Sequence, residues 1–289
     1  MRRAGIVVAA YGRQYRVELA DDGTTLLCFP RGKKSELACG DQVIVQPTNT
    51  AQGVVSSFEP RKTLLYRSDK FRQKLIAANV TQIVIVVATE PPFSDELLTR
   101  CIVAAETQGI RVVIVLNKCD LVGLVASAAR TLAPFEKLGY PVLKLCARTE
   151  SALLLPCLEE QTSLLIGQSG MGKSTLTNAL IPGAKASTRE ISQALNAGKH
   201  TTTHTRLYHL DARSALVDSP GLMAFGLRHL SADELAQAFI EFRPLLGRCR
   251  FRDCRHDREP DCSLHAALEQ GDIDPRRFAA FRSLCAEIG

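Results

Sequence analysis

No apolar run in this 289-residue sequence approaches the roughly 20 residues that a bilayer-spanning helix requires. The longer ones, such as Ile83 to Ala88 and Val112 to Leu116, have the length of strands, so no membrane partner is expected. Nor is a secretion signal expected. Arg2 and Arg3 precede the small and apolar stretch Ala4 to Ala10, but the pattern then continues through Tyr11 to Leu19 as alternating polar and apolar residues, which reads as a hairpin. Internal repeats and low-complexity tracts are missing too. Beyond residue 74 there is no net charge. The surplus of +6 comes from residues 1–74, with 13 lysines and arginines against 7 acids, and such a basic region predicts a polyanionic partner such as RNA.

What is present divides the chain in three. Five β-rich segments between Ala4 and Phe58, separated by turns at Asp22-Gly23 and Cys39-Gly40, predict a small barrel over residues 1–62. An OB-like barrel would present the basic loop Arg31 to Lys34 to a nucleic-acid backbone; an SH3-like barrel fits the same pattern. A Lys- and Arg-rich connector from Glu59 to Lys74 leads into strands alternating with helices, which predicts an α/β domain with a parallel sheet over 63–228. From 229 to 289 the pattern is helical, with helices expected over Asp233–Leu246, Ser263–Glu269 and Pro275–Ala286 around a cysteine cluster.

The central domain carries a nucleotide site. Gly167, Gln168, Ser169, Gly170, Met171, Gly172, Lys173 and Ser174 match the phosphate-loop pattern between an apolar strand and a helix that begins at Thr175. Its glycines let backbone N–H groups turn toward phosphate oxygens. Lys173 reaches the outer phosphates and Ser174 can ligate Mg²⁺. Asn117, Lys118, Cys119 and Asp120 follow another buried strand. Asp120 can accept from N1–H and N2–H of guanine, a donor pair that adenine lacks, so GTP and GDP are the expected ligands. Asp218, Ser219, Pro220 and Gly221 follow a third apolar strand, with Asp218 able to hold Mg²⁺ through water and Gly221 able to donate to the terminal phosphate.

Between these motifs, Gly198-Lys199-His200-Thr201-Thr202-Thr203 supplies hydroxyls for the γ-phosphate, with Thr202 the expected second magnesium ligand and Thr203 the alternative. Cys146-Ala147-Arg148 is similar to the fifth GTPase motif, with cysteine where serine is usual. Leu222 stands where many GTPases have the glutamine that orients water, so unaided hydrolysis is expected to be slow. The motif order, base loop before phosphate loop, implies a circularly permuted domain. The competing readings are a nucleotide-gated RNA-binding switch whose hydrolysis is incidental, and a P-loop ATPase, which Asp120 argues against.

Cys249, Cys254, His256 and Cys262 place three thiols and an imidazole within 14 residues, a donor set suited to a closed, structural Zn²⁺ site. The other cysteines, Cys28, Cys39, Cys101, Cys119, Cys146, Cys157 and Cys285, read as reduced core or loop thiols.

The barrel, the permuted motif order, the Gly-Lys-His-Thr-Thr-Thr run and the Cys-x4-Cys-x-His-x5-Cys cluster together resemble the ribosome small-subunit-dependent GTPase A family along nearly the whole chain. The resemblance implies a cytoplasmic GTPase that binds the 30S subunit late in its assembly and is stimulated by it, with the barrel on 16S rRNA. It also implies that His200 positions the attacking water, with His204 the second choice.

Overall fold

The computed structural model describes residues 1–32, 37–68, 73–181, 205–219 and 225–288. Five strands form the N-terminal barrel: β1 (Arg3–Ala10), β2 (Tyr15–Leu19), β3 (Thr25–Pro30), β4 (Gln42–Pro47) and β5 (Gln52–Phe58). Their alternating residues Val7, Tyr15, Val17, Leu26, Cys28, Val43, Val45 and Val55 fill the interior, as period-two patterning requires. The strands run in the order β1-β2-β3-β5-β4, and β4 pairs back onto β1. The β3–β5 pair is parallel and the others antiparallel, which is the order of an OB-type barrel.

The stretch expected as a basic connector instead contains a hairpin, β6 (Leu64–Ser68) and β7 (Gln73–Ala78). The charged residues hide two short apolar anchors, Leu65 and Ile76, which are buried against the α/β core. The side-chain amide of Gln108 holds Leu64 at both backbone groups, accepting from its N–H at 2.7 Å and donating to its carbonyl at 2.9 Å.

The α/β domain follows as β8 (Gln82–Ala88), α1 (Asp95–Glu106), β9 (Arg111–Asn117), α2 (Val122–Lys137) and β10 (Val142–Lys144). A short turn of helix, α3 (Leu155–Leu158), precedes β11 (Thr162–Ile166), α4 (Lys173–Leu180), β12 (Arg206–His209) and β13 (Ala215–Asp218). In space the strands order as β10-β9-β8-β11-β13-β12, parallel except for β12. β8 is buried at every position, the signature of a central parallel strand covered on both faces. β12 also meets β1 at the Ala9–Arg206 pair, so barrel and α/β sheet share one hydrogen-bonded ladder.

The C-terminal region contains α5 (Ala232–Gln237), α6 (Ser263–Gln270) and α7 (Pro275–Ile288). A capping box between Ser231 and Glu234 starts α5. The helix expected to reach Leu246 stops at Gln237, and the chain continues in turns. The rings of Phe239, Phe242, Phe278 and Phe281 form the local core, with Phe239 and Phe242 stacked at 4.9 Å. This unit grips α1 through Arg276–Asp95, Arg243–Glu106 and Arg100–Glu287 ion pairs. Arg277, 2% exposed, pairs with Glu241 and also donates to the Thr99 hydroxyl.

Candidate functional site

The base and phosphate motifs lie at the C-terminal ends of the parallel strands β9 and β11, which flank β8, at the edge where open α/β sheets form their ligand crevices. Asn117 ends β9 and its side chain is 2% exposed. Its Nδ2 donates to the Met171 carbonyl at 2.8 Å, and its Oδ1 accepts from the Ala147 N–H at 2.8 Å. One amide therefore joins the base loop, the phosphate loop and the Cys146–Arg148 segment. Cys146 is buried, and its N–H donates to the Glu150 carboxylate at 2.8 Å. The fifth motif thus takes part through its backbone, and cysteine in place of serine leaves those contacts intact.

Lys118 adopts a left-handed backbone, φ 59°, and its Nζ donates to the Glu90 carbonyl at 2.7 Å. Cys119 N–H donates to the Leu145 carbonyl at 3.2 Å. Asp120 is exposed, so its carboxylate is accessible to a base. Glu150 and Thr89 were missed from the sequence. A βα loop following a buried strand is a signal for Thr89, since that end of a parallel strand is where ligands bind.

The phosphate loop depends on two glycines. A Cβ on Gly167 would fall 2.2 Å from the Val86 carbonyl oxygen, and one on Gly172 would fall 2.1 Å from Asn117 Nδ2. Gly172 also has φ +95°, which glycine tolerates without the steric cost of a side chain. The loop passes from this residue into α4, whose first turn carries Lys173, Ser174 and Thr175. Ser169, Gly170, Ser174 and Thr175 are exposed. Backbone N–H groups at this helix start, together with the helix dipole, favour an anion.

Lys173 Nζ donates to the carbonyls of Gly167 at 2.5 Å and Gln168 at 2.9 Å. Burial lowers its pKa, and the nearby Asp218 opposes that shift. Asp218 ends β13, in register with Leu165 of β11, one strand from the phosphate loop. Burial raises its carboxyl pKa, while Lys173 and a hydrogen bond from Thr177 counteract it. A cation offered to this carboxylate would remove part of that desolvation cost. His200, Thr202, Thr203, His204, Gly221 and Leu222 lie outside the described residues, as do Lys33 and Lys34 of the basic barrel loop.

The second candidate centre is in the C-terminal unit. The ligand atoms of Cys249, Cys254, His256 and Cys262 all lie within 4.8 Å of one another and could hold a metal ion. His256 Nδ1 is 3.5, 3.6 and 3.4 Å from the sulfurs of Cys249, Cys254 and Cys262, respectively. The Cys249 and Cys262 sulfurs are 3.9 Å apart. Cys262 stands at the N-cap of α6; burial raises its thiol pKa, and the N–H groups of His265 and Leu264 in the first turn of that helix oppose the shift. Burial lowers the pKa of His256, favouring the neutral imidazole that ligates metals.

A sequence model of the RsgA GTPase family matches residues 58–228. The small ribosomal subunit biogenesis GTPase RsgA of Nitrosomonas europaea is 53% identical over 283 residues, covering 97% of this chain and 90% of that protein. Its namesake from Nitrosospira multiformis is 51% identical over 284 residues, covering 98% and 90%. The crystal structure of YjeQ from Thermotoga maritima aligns with a TM-score of 0.77 at 30% identity, over 100% of this chain and 99% of that one. YloQ, a circularly permuted GTPase, aligns with a TM-score of 0.73 at 25% identity, over 100% and 95%.

Proposed function

The chain belongs to the RsgA GTPase family, and from that premise we propose that it hydrolyses GTP while bound to the small ribosomal subunit during the subunit's assembly. The observation that carries the nucleotide reading is the two-sided hydrogen bonding of Asn117, which unites three motifs that lie far apart in sequence. In this reading Asp120 selects guanine, and residues Gly167 to Thr175 cradle the phosphates with Lys173 on the outer ones. Ser174, Thr202 and Asp218 hold Mg²⁺, and Gly221 donates to the γ-phosphate. Magnesium would neutralise charge that develops on the transferred phosphoryl oxygens. His200 orients the attacking water, a task that Leu222 cannot perform.

The metal of the cysteine cluster is Zn²⁺ in a structural role. A tetrahedral zinc ion with ordinary bond lengths would separate two sulfur ligands by about 3.8 Å and a sulfur from a nitrogen by about 3.6 Å. The separations of 3.9 Å and 3.4–3.6 Å fit that donor geometry with all four positions filled by protein. The OB-type barrel, in the basic N-terminal part of the chain, contacts 16S rRNA. The protein works in the cytoplasm, and among the described residues no helix is long and apolar enough to cross a membrane.

The test is steady-state GTP hydrolysis by the purified chain, alone and with 30S, 50S or 70S particles, for the native sequence and His200→Ala. Selective stimulation by 30S that the variant loses is the expected result. Equal slow turnover with every particle would favour a nucleotide-gated RNA-binding switch.

A further inference from the structure

The base-reading turn is held by a residue outside every nucleotide motif. Lys118, Cys119, Asp120 and Leu121 form a turn closed by the Leu121 N–H donating to the Lys118 carbonyl at 3.0 Å. The same carbonyl accepts a second hydrogen bond, 3.0 Å long, from the Thr89 hydroxyl. Thr89 also donates its N–H to the Asn117 carbonyl at 3.1 Å, so it grips the chain at two successive residues. The far side of the Lys118–Cys119 peptide is fixed by Cys119 N–H on the Leu145 carbonyl. That peptide belongs to a non-glycine residue with φ 59°, a conformation that costs energy and persists where surrounding contacts hold it.

The strap that begins at Thr89 then runs past the phosphate loop. The Pro91 ring lies 3.5 Å from where a Cβ on Gly170 would sit, and Ser94 N–H donates to Gln168 Oε1 at 3.3 Å. One segment therefore touches both the turn bearing the guanine-reading carboxylate and the loop that cradles phosphates.

Resting on the GTPase reading above, we propose that Thr89 is a positioning residue for guanine recognition: its hydroxyl holds the Lys118 carbonyl and thereby fixes the direction of the Asp120 carboxylate. Two hydrogen bonds from guanine N1–H and N2–H require both carboxylate oxygens in the plane of the base, so a small rotation of the turn sacrifices the second bond first.

The experiment measures equilibrium binding of GDP, IDP and ADP to the full chain and to Thr89→Val, Thr89→Ala and Thr89→Ser, with circular dichroism confirming the fold of each. Hypoxanthine keeps N1–H but lacks the exocyclic amine, so the GDP-to-IDP affinity ratio reads the second bond to Asp120. Thr89→Val and Thr89→Ala are expected to weaken GDP binding about 3- to 10-fold, the range of one lost hydrogen bond, and to shrink the GDP-to-IDP ratio. Thr89→Ser is expected to restore both. A native GDP-to-IDP ratio in folded Thr89→Val or Thr89→Ala overturns the proposal, as does a Ser variant that behaves like Val. Failure of the native chain to prefer GDP over ADP would instead overturn the guanine-site reading itself.

Discussion

Asn117 and Met171 are 54 residues apart in sequence and 2.8 Å apart in space, joined by the Asn117 amide and the phosphate-loop carbonyl. With the reciprocal bond from Ala147 N–H, this amide holds the site's loops together. Asn117→Ala leaves two buried backbone groups without these partners, so stability should fall by roughly 2–4 kcal/mol and GDP affinity by more than about 10-fold. Urea denaturation and GDP titration check the two effects. Asn117→Asp should be at least as damaging, because an ionised carboxylate presents an acceptor to the Met171 carbonyl where the amide had a donor.

Burial raises the carboxyl pKa of Asp218, against the opposing pull of Lys173 and the Thr177 hydroxyl. Its folded pKa is raised, so the folded state binds the proton more tightly than the unfolded state does, and this group's destabilisation grows as pH rises through the carboxylate range. Asp218→Asn should therefore raise the melting temperature of the nucleotide-free protein by about 1–4 °C. The same variant should lose Mg²⁺-dependent GTP hydrolysis. Melting curves at pH 5 and pH 7 test the sign: the gain should be smaller at pH 5.

Arg277 and Glu241 form an ion pair in which both side chains are nearly inaccessible. Arg277 also stacks over Phe239 at 4.5 Å and bonds to Thr99 of α1. Arg277→Ala should destabilise by about 3–5 kcal/mol, because it strands a buried carboxylate. The double variant Arg277→Met with Glu241→Gln should recover much of that loss, which a urea series would show.

The four-ligand cluster should make the C-terminal unit metal-dependent. Stripping the protein with a strong chelator is expected to lower the melting temperature, and one equivalent of Zn²⁺ should restore it. The cluster shares no ligand with the phosphate loop, so GDP affinity should change less than about 3-fold. Cys254→Ser should reproduce the stripped state.

Legibility from sequence followed how local each signal was. The phosphate loop, the Asn117–Asp120 turn and the cysteine cluster each fit within 14 residues or fewer, and chemistry that depends on short spacing is readable without a fold. The barrel was legible because Val7, Val17, Val43 and Val45 alternate with period two. Its strand order was not, since the parallel β3–β5 contact that separates OB-like from SH3-like closure is non-local. The β6–β7 hairpin was obscured because Leu65 and Ile76 stand among lysines and arginines, and only burial against the core distinguishes them. α2 went unread. Its N-terminus lacks a side-chain cap, it contains Pro134, and several apolar residues near its start face outward. Thr89 and Glu150 carry no motif at all; their roles come from bonds to Lys118 and Cys146 that the fold creates.

Whether these loops assemble a guanine-specific hydrolytic site is decided by comparing GTP and XTP hydrolysis by the native chain and by Asp120→Asn. Xanthine carries an oxygen where guanine has the amine, so an amide at position 120 can donate to it where a carboxylate is repelled. The native chain is expected to use GTP, and Asp120→Asn to lose GTP by at least about 100-fold while gaining XTP. Unchanged GTP preference in the variant would mean that Asp120 does not read the base and that guanine specificity lies elsewhere.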